Sequence, residues 1–382
     1  MSKRNIYILY AMACLQGMVF YGPIATLYRQ VHGVTIFQIT LIESISLALG
    51  LVLELPWGII ADKIGYKRTM EFCSVLYLVS KVVFWQAEGF TGFLVERILL
   101  SVVISGLSGV ETAVLYLSCG KDGSQTVFGV YNSLQTVGLL FAAWVYSTFV
   151  GEDYPLAGLL TVIGYGAAAI LSVFLTEVSE EKAEAMGARE FFTLIKARLG
   201  DKSLIPFLLA VAFLNETHQT ITVFLNQLEY EVCGLSPRIM GYIYMIVTLA
   251  GLTGVWSEKV RIRLGADGSA AVYYGAAVAA CVVLAALDHA LLSILAILTL
   301  RVVFSLFQPL QTALQNQGVV SANRATELSV NALLIDSVGL GTNLAFGKLA
   351  EWDLSAAFWL GAALCLIGGV LFRVWYRQSL PA

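Results

Sequence analysis

The sequence predicts an all-α integral membrane protein with twelve transmembrane helices in two six-helix pseudo-repeats. The 382 residues are 58% hydrophobic and 13% charged, with a mean hydropathy of +0.79, whereas soluble domains are about 25% charged. The apolar runs are close to the ~20 residues that a membrane-spanning helix needs. The longest polar stretch, residues 177–203, lies in the middle of the chain and separates two groups of six runs.

The predicted spans follow one another with short connections. Their limits are about 6–28, 37–57, 69–88, 92–117, 126–149, 155–176, 204–226, 237–256, 269–287, 290–314, 326–347 and 355–375. We therefore divide the chain into an N-terminal half (1–176), a cytoplasmic linker (177–203) and a C-terminal half (204–382). Apolar and basic residues alternate at 189–199, which predicts a helix lying on the membrane surface. A plain linker with a partly helical end is the alternative.

A short pattern before spans two and eight supports the repeat. Residues 33–35 read Gly-Val-Thr and precede span two, and residues 234–236 read Gly-Leu-Ser and precede span eight. Each triplet ends in a hydroxyl residue, so we expect Thr35 and Ser236 to cap the helices that follow.

Basic residues are distributed unequally between the connections, which predicts the orientation. With the N-terminus inside, the inner segments hold seventeen Lys and Arg residues, and the outer segments hold four. An excess of Lys and Arg marks the cytoplasmic side. We expect a multi-pass protein of the inner or plasma membrane with both termini in the cytoplasm.

The connection between spans two and three is short, basic and rich in glycine. Gly58 and Gly65 are suited to a tight turn. Asp62 is an acid among cations, and charge-assisted pairing is the expected reason for it. The residues of interest in this connection are Gly58, Asp62, Lys63, Gly65, Lys67 and Arg68.

The pattern Gly-x-x-x-Asp-Lys-x-Gly-x-Lys-Arg at 58–68 resembles the loop 2–3 signature of the major facilitator superfamily, in particular its twelve-helix bacterial-type secondary transporters. The resemblance covers the whole chain, since the spans, the long central loop and the signature are all in place. It implies alternating access, in which two halves rock about a midplane site, and a gating role for the signature loop. It also implies that Asp62 contacts partners near spans four and eleven, where Asp122 and Arg324 are the nearest matches in position.

The chain departs from related patterns at two places. The family pattern in span four is an arginine with a glycine four residues later. Here Arg97 has Ser101 at that position. The fifth span has no proline between 128 and 150, so it lacks the glycine-proline signature of many drug/proton antiporters.

Ionisable residues inside the predicted spans form the second set of candidates. At the centre of a membrane helix each costs about 2.5–3.5 kcal/mol on insertion scales, so such residues normally face a bundle interior or a cavity. They are Glu43, Glu54, Lys81, Glu111, Glu216, His218, Arg301 and Asp336. Four of them lie near the middle of their spans: Lys81, Glu216, Arg301 and Asp336. Two cations and two acids at this depth predict a polar, charged cavity at the membrane midplane.

We assign these residues roles by type. Glu216 and Asp336 are the predicted proton carriers, with Glu111 third; a nearby cation would make any of them a fixed counter-ion instead. The predicted substrate cavity comprises Lys81, Arg301, Asn215, His218, Gln311 and Glu43.

Structural alternatives stay open for several of these residues. Glu111 is suited equally to a structural pair, and Lys81 and Arg301 to pairing with the acids. His218 is suited to hydrogen-bonded packing. Five consecutive polar residues at 215–219 predict that span seven is locally irregular and lines the cavity.

The expected function is proton-coupled efflux of an amphiphilic or drug-like compound. Proton-coupled uptake of a polar or anionic nutrient is the alternative, and a non-transporting membrane sensor is a third interpretation. The chain has no phosphate-binding Gly-rich loop, no Cys-x-x-Cys pair and only three scattered histidines. We therefore expect no cofactor, metal, nucleic acid or enzyme activity. The expected partners are a small-molecule substrate, protons and the lipid bilayer, and the protein is expected to be a monomer.

Overall fold

The computed structural model describes residues 3–119, 124–178, 196, 200, 203–317 and 324–379. All regular elements in these ranges are helices, and the described residues include no strand. The prediction of an all-α fold is confirmed.

The described residues of the first half of the sequence form eight helices. They are α1 (Lys3–Gly17), α2 (Ala25–Val31), α3 (Ile36–Ile64), α4 (Tyr66–Gln86), α5 (Gly89–Leu107), α6 (Val110–Cys119), α7 (Ser124–Val145) and α8 (Tyr154–Ser172). A 3₁₀ turn, Gly22–Ile24, precedes α2, and a π-helical turn, Tyr146–Val150, follows α7.

In the second half, the part of the chain that the structure describes forms seven helices. They are α9 (Ile205–Gln219), α10 (Asn226–Val232), α11 (Pro237–Ala250), α12 (Ser257–Ala286), α13 (Ala290–Gln317), α14 (Arg324–Trp352) and α15 (Leu354–Ser379). A π-helical turn, Thr220–Leu225, joins α9 to α10, and a 3₁₀ segment, Gly251–Trp256, joins α11 to α12.

Nine segments of the described chain are long and apolar enough to cross a membrane. One of them, Pro237–Ala286, is 50 residues long and covers predicted spans eight and nine. Predicted spans three and seven are not among the nine because they are rich in polar residues, although both are helical as α4 and α9–α10. The total of twelve spans stays a prediction.

The chain divides into two compact units, each with one segment from the opposite half of the sequence. Unit 1 comprises Met1–Val34, Ile45–Ala185 and Pro237–Met245, and unit 2 comprises Thr35–Ser44, Met186–Ser236 and Ile246–Ala382. The exchanged segments are the first parts of α3 and α11. Most of the predicted linker, 177–203, lies outside the described residues, so its membrane-surface helix and the boundaries drawn around it stay predictions.

Glycines allow a close helix crossing in unit 1. α1 packs against α7 and α8. A Cβ on Gly17 would collide with the carbonyl oxygen of Gln135, and a Cβ on Gly138 would collide with that of Cys14. The two backbones can approach this closely only because neither glycine has a side chain.

The exchanged segment of α3 packs in the same way against α14 in unit 2. Thr40 lies directly against Gly347, and the Ser44 hydroxyl donates a hydrogen bond to the carbonyl oxygen of Leu340 at 3.2 Å. The ammonium of Lys348 lies 5.6 Å from the centre of the Phe37 ring. These contacts bind the start of α3 to unit 2.

The two predicted N-caps behave differently. Thr35 forms a reciprocal capping box with Gln38, in which Thr35 N–H donates to Gln38 Oε1 at 3.0 Å and Gln38 N–H donates to Thr35 Oγ1 at 3.3 Å. The cap predicted at Ser236 is wrong, because its side chain makes no capping hydrogen bond. Pro237 opens α11 instead, with its φ already suited to a helix.

The turn predicted at Gly58 is also wrong. The apolar run ends near residue 57, but α3 continues without interruption to Ile64. Since a helix satisfies its own backbone hydrogen bonds, it does not need to end where the apolar run ends. The reversal falls at Gly65 alone, which has a φ of 93° and a ψ of 152°.

Candidate functional site

In unit 1, the predicted cavity residue Lys81 is enclosed by aromatic rings and an acid. Lys81 is 5% exposed, and its Nζ donates to the Tyr21 hydroxyl at 3.1 Å. The same Nζ is 5.2 Å from the ring centres of Tyr77 and Tyr165, and 3.9 Å from Glu96 Oε1. Cation–π contacts and an ion pair therefore stabilise this charge inside the unit.

Glu96 is the partner that sequence reasoning missed. It lies on α5, which packs against α4, and it is 1% exposed. It stands near the beginning of predicted span four, and Lys81 stands in the second half of span three. Because these spans are antiparallel neighbours, their matching depth is the signal that could have identified the pair.

Glu111, the third predicted proton carrier, is held by a tyrosine. The Tyr131 hydroxyl donates to Glu111 Oε2 at 3.1 Å. Glu111 also lies in the first turn of α6, two residues after Gly109, where the helix dipole favours a negative charge. Both contacts suit a structural role, and its role in proton transfer stays a prediction.

In unit 2, the two main proton-carrier candidates come together. Glu216, on α9, is 8% exposed. Its carboxylate carbon and both oxygens are 2.8 Å from the position that a Cβ would take on Gly339 of α14. Asp336 lies one turn earlier on α14 and is exposed, and its negative charge acts on Glu216. The two acids therefore lie on packed helices, with Glu216 against a glycine that is three residues from Asp336.

Gly339 is a second residue that sequence reasoning missed. Any side chain here would displace the Glu216 carboxylate, so the absence of a Cβ is what allows the acid to lie against α14. A glycine three residues after Asp336 is the local signal, because residues three apart share a helix face.

His218 and Arg301 lie in the same unit and interact electrostatically. The His218 ring stacks on Phe304 with a centroid distance of 3.8 Å and an interplanar angle of 1°. Its Nε2 is 3.2 Å from Thr222 Oγ1, and the charge of Arg301 acts on it. The guanidinium carbon of Arg301 is 3.0 Å from the Cβ position of Gly251. His218 is thus well packed, as the structural alternative expects.

Amide side chains add to the polar surface of unit 2. Gln311 is 7% exposed and donates to Gln308 Oε1 at 3.0 Å. Thr220 donates to Asn343 Oδ1 at 2.8 Å, a contact that sequence reasoning did not identify. Asn215 is half-buried on α9. The polar run 215–219 stays α-helical to Gln219, and the predicted irregularity follows at once in the π-helical turn.

Glu43 belongs to unit 2 through the exchanged segment of α3. It is 6% exposed. It precedes Ser44, whose hydroxyl donates a hydrogen bond to the Leu340 carbonyl oxygen on α14. The burial of this acid is therefore coupled to the packing of the exchanged segment.

The signature loop has an acidic partner from the end of the first half. Lys67 N–H donates to Glu177 Oε1 at 3.2 Å, and Glu177 Oε2 is 2.9 Å from the Cβ position of Gly65. The carboxylate thus lies at the N-terminus of α4. There it accepts a hydrogen bond from an N–H group that has no partner within the helix, and its negative charge interacts favourably with the helix dipole. Lys67 also pairs with Glu71 at 3.5 Å.

The other predicted gate residues are only partly described. Lys63 lies in the last turn of α3, and Arg68 is exposed on α4. The side chains of Asp62 and Arg324 lie outside the description, and so does Asp122 entirely. Their gating contacts stay predictions.

Comparisons with known proteins identify the family. The family model described as "Major Facilitator Superfamily" matches residues 6–342. An uncharacterized MFS-type transporter of Methanocaldococcus jannaschii is 23% identical over 201 residues, which cover 50% of this chain and 51% of the relative. The inner membrane transport protein YnfM of Escherichia coli K12 is 27% identical over 242 residues, or 62% of this chain and 56% of the relative. The chain thus spans about half the length of these curated relatives.

Solved structures show the same fold over almost the whole chain. The nucleoside transporter NupG matches with a TM-score of 0.81 and 16% identity, covering 98% of each chain. A bacterial homologue of the human lysosomal transporter Spinster matches with a TM-score of 0.75 and 14% identity, covering 98% of this chain and 96% of the other. With the family model covering most of the sequence, the resemblance drawn from the signature loop is confirmed, and the chain belongs to the major facilitator superfamily.

Proposed function

We propose that this protein is a secondary transporter that exports an amphiphilic or cationic small molecule in exchange for protons. Membership of a family whose matched relatives are named as transporters supports transport, and the signature loop supports alternating access. The observation that carries the proposal is the neighbouring pair of carboxylates, Glu216 and Asp336, in unit 2.

Two adjacent carboxylates inside a membrane protein give a physical basis for exchange. Holding two negative charges side by side in a low dielectric is unfavourable. Either a proton or the positive group of a substrate removes this repulsion, so the two compete for the same pair. Binding of one favours release of the other, which is what antiport requires.

The surroundings of the cations also favour a cationic or neutral substrate. Lys81 is already neutralised by Glu96 and surrounded by aromatic rings, so its charge is engaged within unit 1. The stacked pair of His218 and Phe304 adds an aromatic surface to the unit that holds the acids, and aromatic faces attract cations.

Uptake of a polar or anionic nutrient is the second candidate. Arg301 favours it, since its guanidinium lies in the same unit as the acids and is suited to binding a carboxylate or phosphate. Two structural neighbours on the same fold are named as a nucleoside transporter and as a POT family transporter in complex with 5-aminolevulinic acid, and both names refer to polar ligands. Substrate accumulation by cells that express the protein, rather than exclusion, would reject efflux.

A proteoliposome assay with an internal pH dye tests proton coupling. Adding lipophilic cations should move protons across membranes that contain the wild-type protein, and Glu216→Gln or Asp336→Asn should abolish this movement. Glu351→Gln, an exposed acid near the end of α14, is the matched control and should behave as wild type. If substrate moves at equal rates with and without a pH gradient, proton coupling is wrong.

The family and the charge distribution support a proposal for the location. The protein is a multi-pass membrane protein, and we propose that it lies in the inner or plasma membrane as a monomer with cytoplasmic termini. The 17-to-4 bias of basic residues supports this orientation. A fluorescent reporter that folds only in the cytoplasm, fused after Ala382, should be bright.

A further inference from the structure

A groove on the side of unit 2 runs between α12 and α15. Its volume is about 280 Å³, slightly below the ~300–1,000 Å³ of pockets for drug-sized ligands. Gly275 faces this open space, since a Cβ there would meet nothing within 4 Å. Ala271 on the same helix face and Gly369 on α15 also line it.

The walls of the groove face the bilayer. Leu366 and Val370, which line it on α15, are 60% and 57% exposed. Val272 and Ile367, beside the groove, are 52% and 49% exposed. In a membrane-spanning protein, apolar side chains this exposed on the outside of the bundle contact lipid.

One end of the groove is polar. Arg373 Nε lies 3.6 Å from Asp267 Oδ2, and the two side chains are 57% and 32% exposed. Asp267 stands just before predicted span nine, and Arg373 stands just before the end of span twelve, so both lie near the depth of the lipid headgroups. An exposed ion pair of this kind contributes little stability, so Arg373 can exchange its partner for another anion.

The length of the groove matches one leaflet. The lining residues run from Asp267 to Val278 on α12, which is about 16 Å at 1.5 Å per residue. Half of a ~30 Å hydrocarbon core is ~15 Å. An acyl chain that starts at headgroup depth would therefore follow the groove to the midplane.

The charge around the polar end favours an anionic headgroup. The start of α12 and the end of α15 carry more basic than acidic residues, and Arg261 is already paired with Glu258. The basic residues are Lys259, Arg261, Arg263, Arg373 and Arg377, and the acidic residues are Glu258 and Asp267.

From these observations we infer that the groove between α12 and α15 binds one anionic phospholipid, with an acyl chain along Gly275 and the phosphate on Arg373. This site is separate from the proposed substrate and proton residues, and it does not depend on the direction of transport. With the orientation proposed above, the lipid belongs to the cytoplasmic leaflet.

Native mass spectrometry of the purified, delipidated protein with added phosphatidylglycerol tests the site. Wild type should retain one phosphatidylglycerol more than Gly275→Phe, which fills the groove. Arg373→Gln should need about fivefold more lipid for the same occupancy, since a basic residue near the surface contributes about 1 kcal/mol. Diacylglycerol, which has no phosphate, should be retained weakly by all forms.

Matched controls separate the groove from general effects. Val272→Phe adds the same ring to α12 outside the groove, and Arg4→Gln removes an exposed cation on α1; both should behave as wild type. Equal retention by wild type and Gly275→Phe would overturn the acyl-chain site. Equal retention of diacylglycerol and phosphatidylglycerol by wild type would overturn the phosphate contact. If Gly275→Phe does not fold, Arg373→Gln still decides the inference.

Discussion

At the scale of single residues, burial shows which charges are already satisfied. Lys81 and Glu216 were both predicted near the middle of their spans, but their surroundings differ. Lys81 has an acid and three tyrosine rings around it, whereas Glu216 has a second acid acting on it. The first arrangement stabilises a fixed charge, and the second is the basis of the proposed exchange of a proton for a cation.

We expect Lys81→Met to destabilise the protein by about 3–5 kcal/mol, since it leaves Glu96 buried without its cation. The double variant Lys81→Met/Glu96→Leu should be more stable than the single variant, because neither charge remains. Thermal unfolding of the purified proteins in detergent measures the stability of the single and the double variant. Lys67→Met, which breaks a partly exposed surface pair with Glu71, should cost less than ~1 kcal/mol. A double variant less stable than Lys81→Met alone would contradict a mutual pair.

At the scale of elements, the connection between α3 and α4 is a single-residue reversal. Gly65 has a φ of 93° and a ψ of 152°, a backbone region that is almost restricted to glycine. The Glu177 carboxylate, from the chain after α8, binds the N–H group of Lys67 in the first turn of α4. The signature loop is thus tied to the start of the predicted linker.

Gly65→Ala should destabilise the purified protein by about 1–3 kcal/mol, because alanine is strained in this conformation. It would also displace Glu177, whose oxygen lies 2.9 Å from the new Cβ. Gly50→Ala is the control, since Gly50 lies inside α3 with open space around its Cβ position; there alanine should be neutral or stabilising. Equal melting temperatures for the two variants would contradict the strain.

Particular residues show how much the sequence could predict. Hydropathy and the residues of the signature loop predicted the all-α fold and the family, because both depend on local composition and spacing. The partners Glu96, Gly339 and Glu177 escaped prediction, since each is defined by a contact between distant parts of the chain. The turn at Gly58 was misplaced because the end of an apolar run does not determine the end of a helix.

At the scale of the whole molecule, the exchanged segments connect the two halves of the sequence. Pro237–Met245 belongs to unit 1, where Gly241 lies against Ser147 in the π-helical turn after α7. The Tyr242 hydroxyl is also 3.3 Å from Thr148 Oγ1. Movement of the start of α11 away from the end of α7 would therefore break contacts inside unit 1.

A disulfide at this contact should arrest transport. The Cβ position of Gly241 is 3.3 Å from Ser147 Cβ, near the ~3.5–4.5 Å of disulfides. Ser147→Cys/Gly241→Cys, in a background without the six native cysteines, should lose transport in proteoliposomes on oxidation and regain it on reduction. Each single cysteine variant should be insensitive to oxidant. Full transport by the cross-linked protein would show that this contact does not open during the cycle.

The exchange of segments also has a consequence for synthesis on the ribosome. The main body of unit 1 ends at Ala185, but its last segment ends at Met245, sixty residues later. At about 5–20 residues per second, the ribosome needs about 3–12 s to make them. During that interval the first half stands in the membrane with the contact surface for α11 uncovered. Insertion chaperones or the translocon would meet it in this incomplete form, which makes biogenesis of this chain most vulnerable between its two halves.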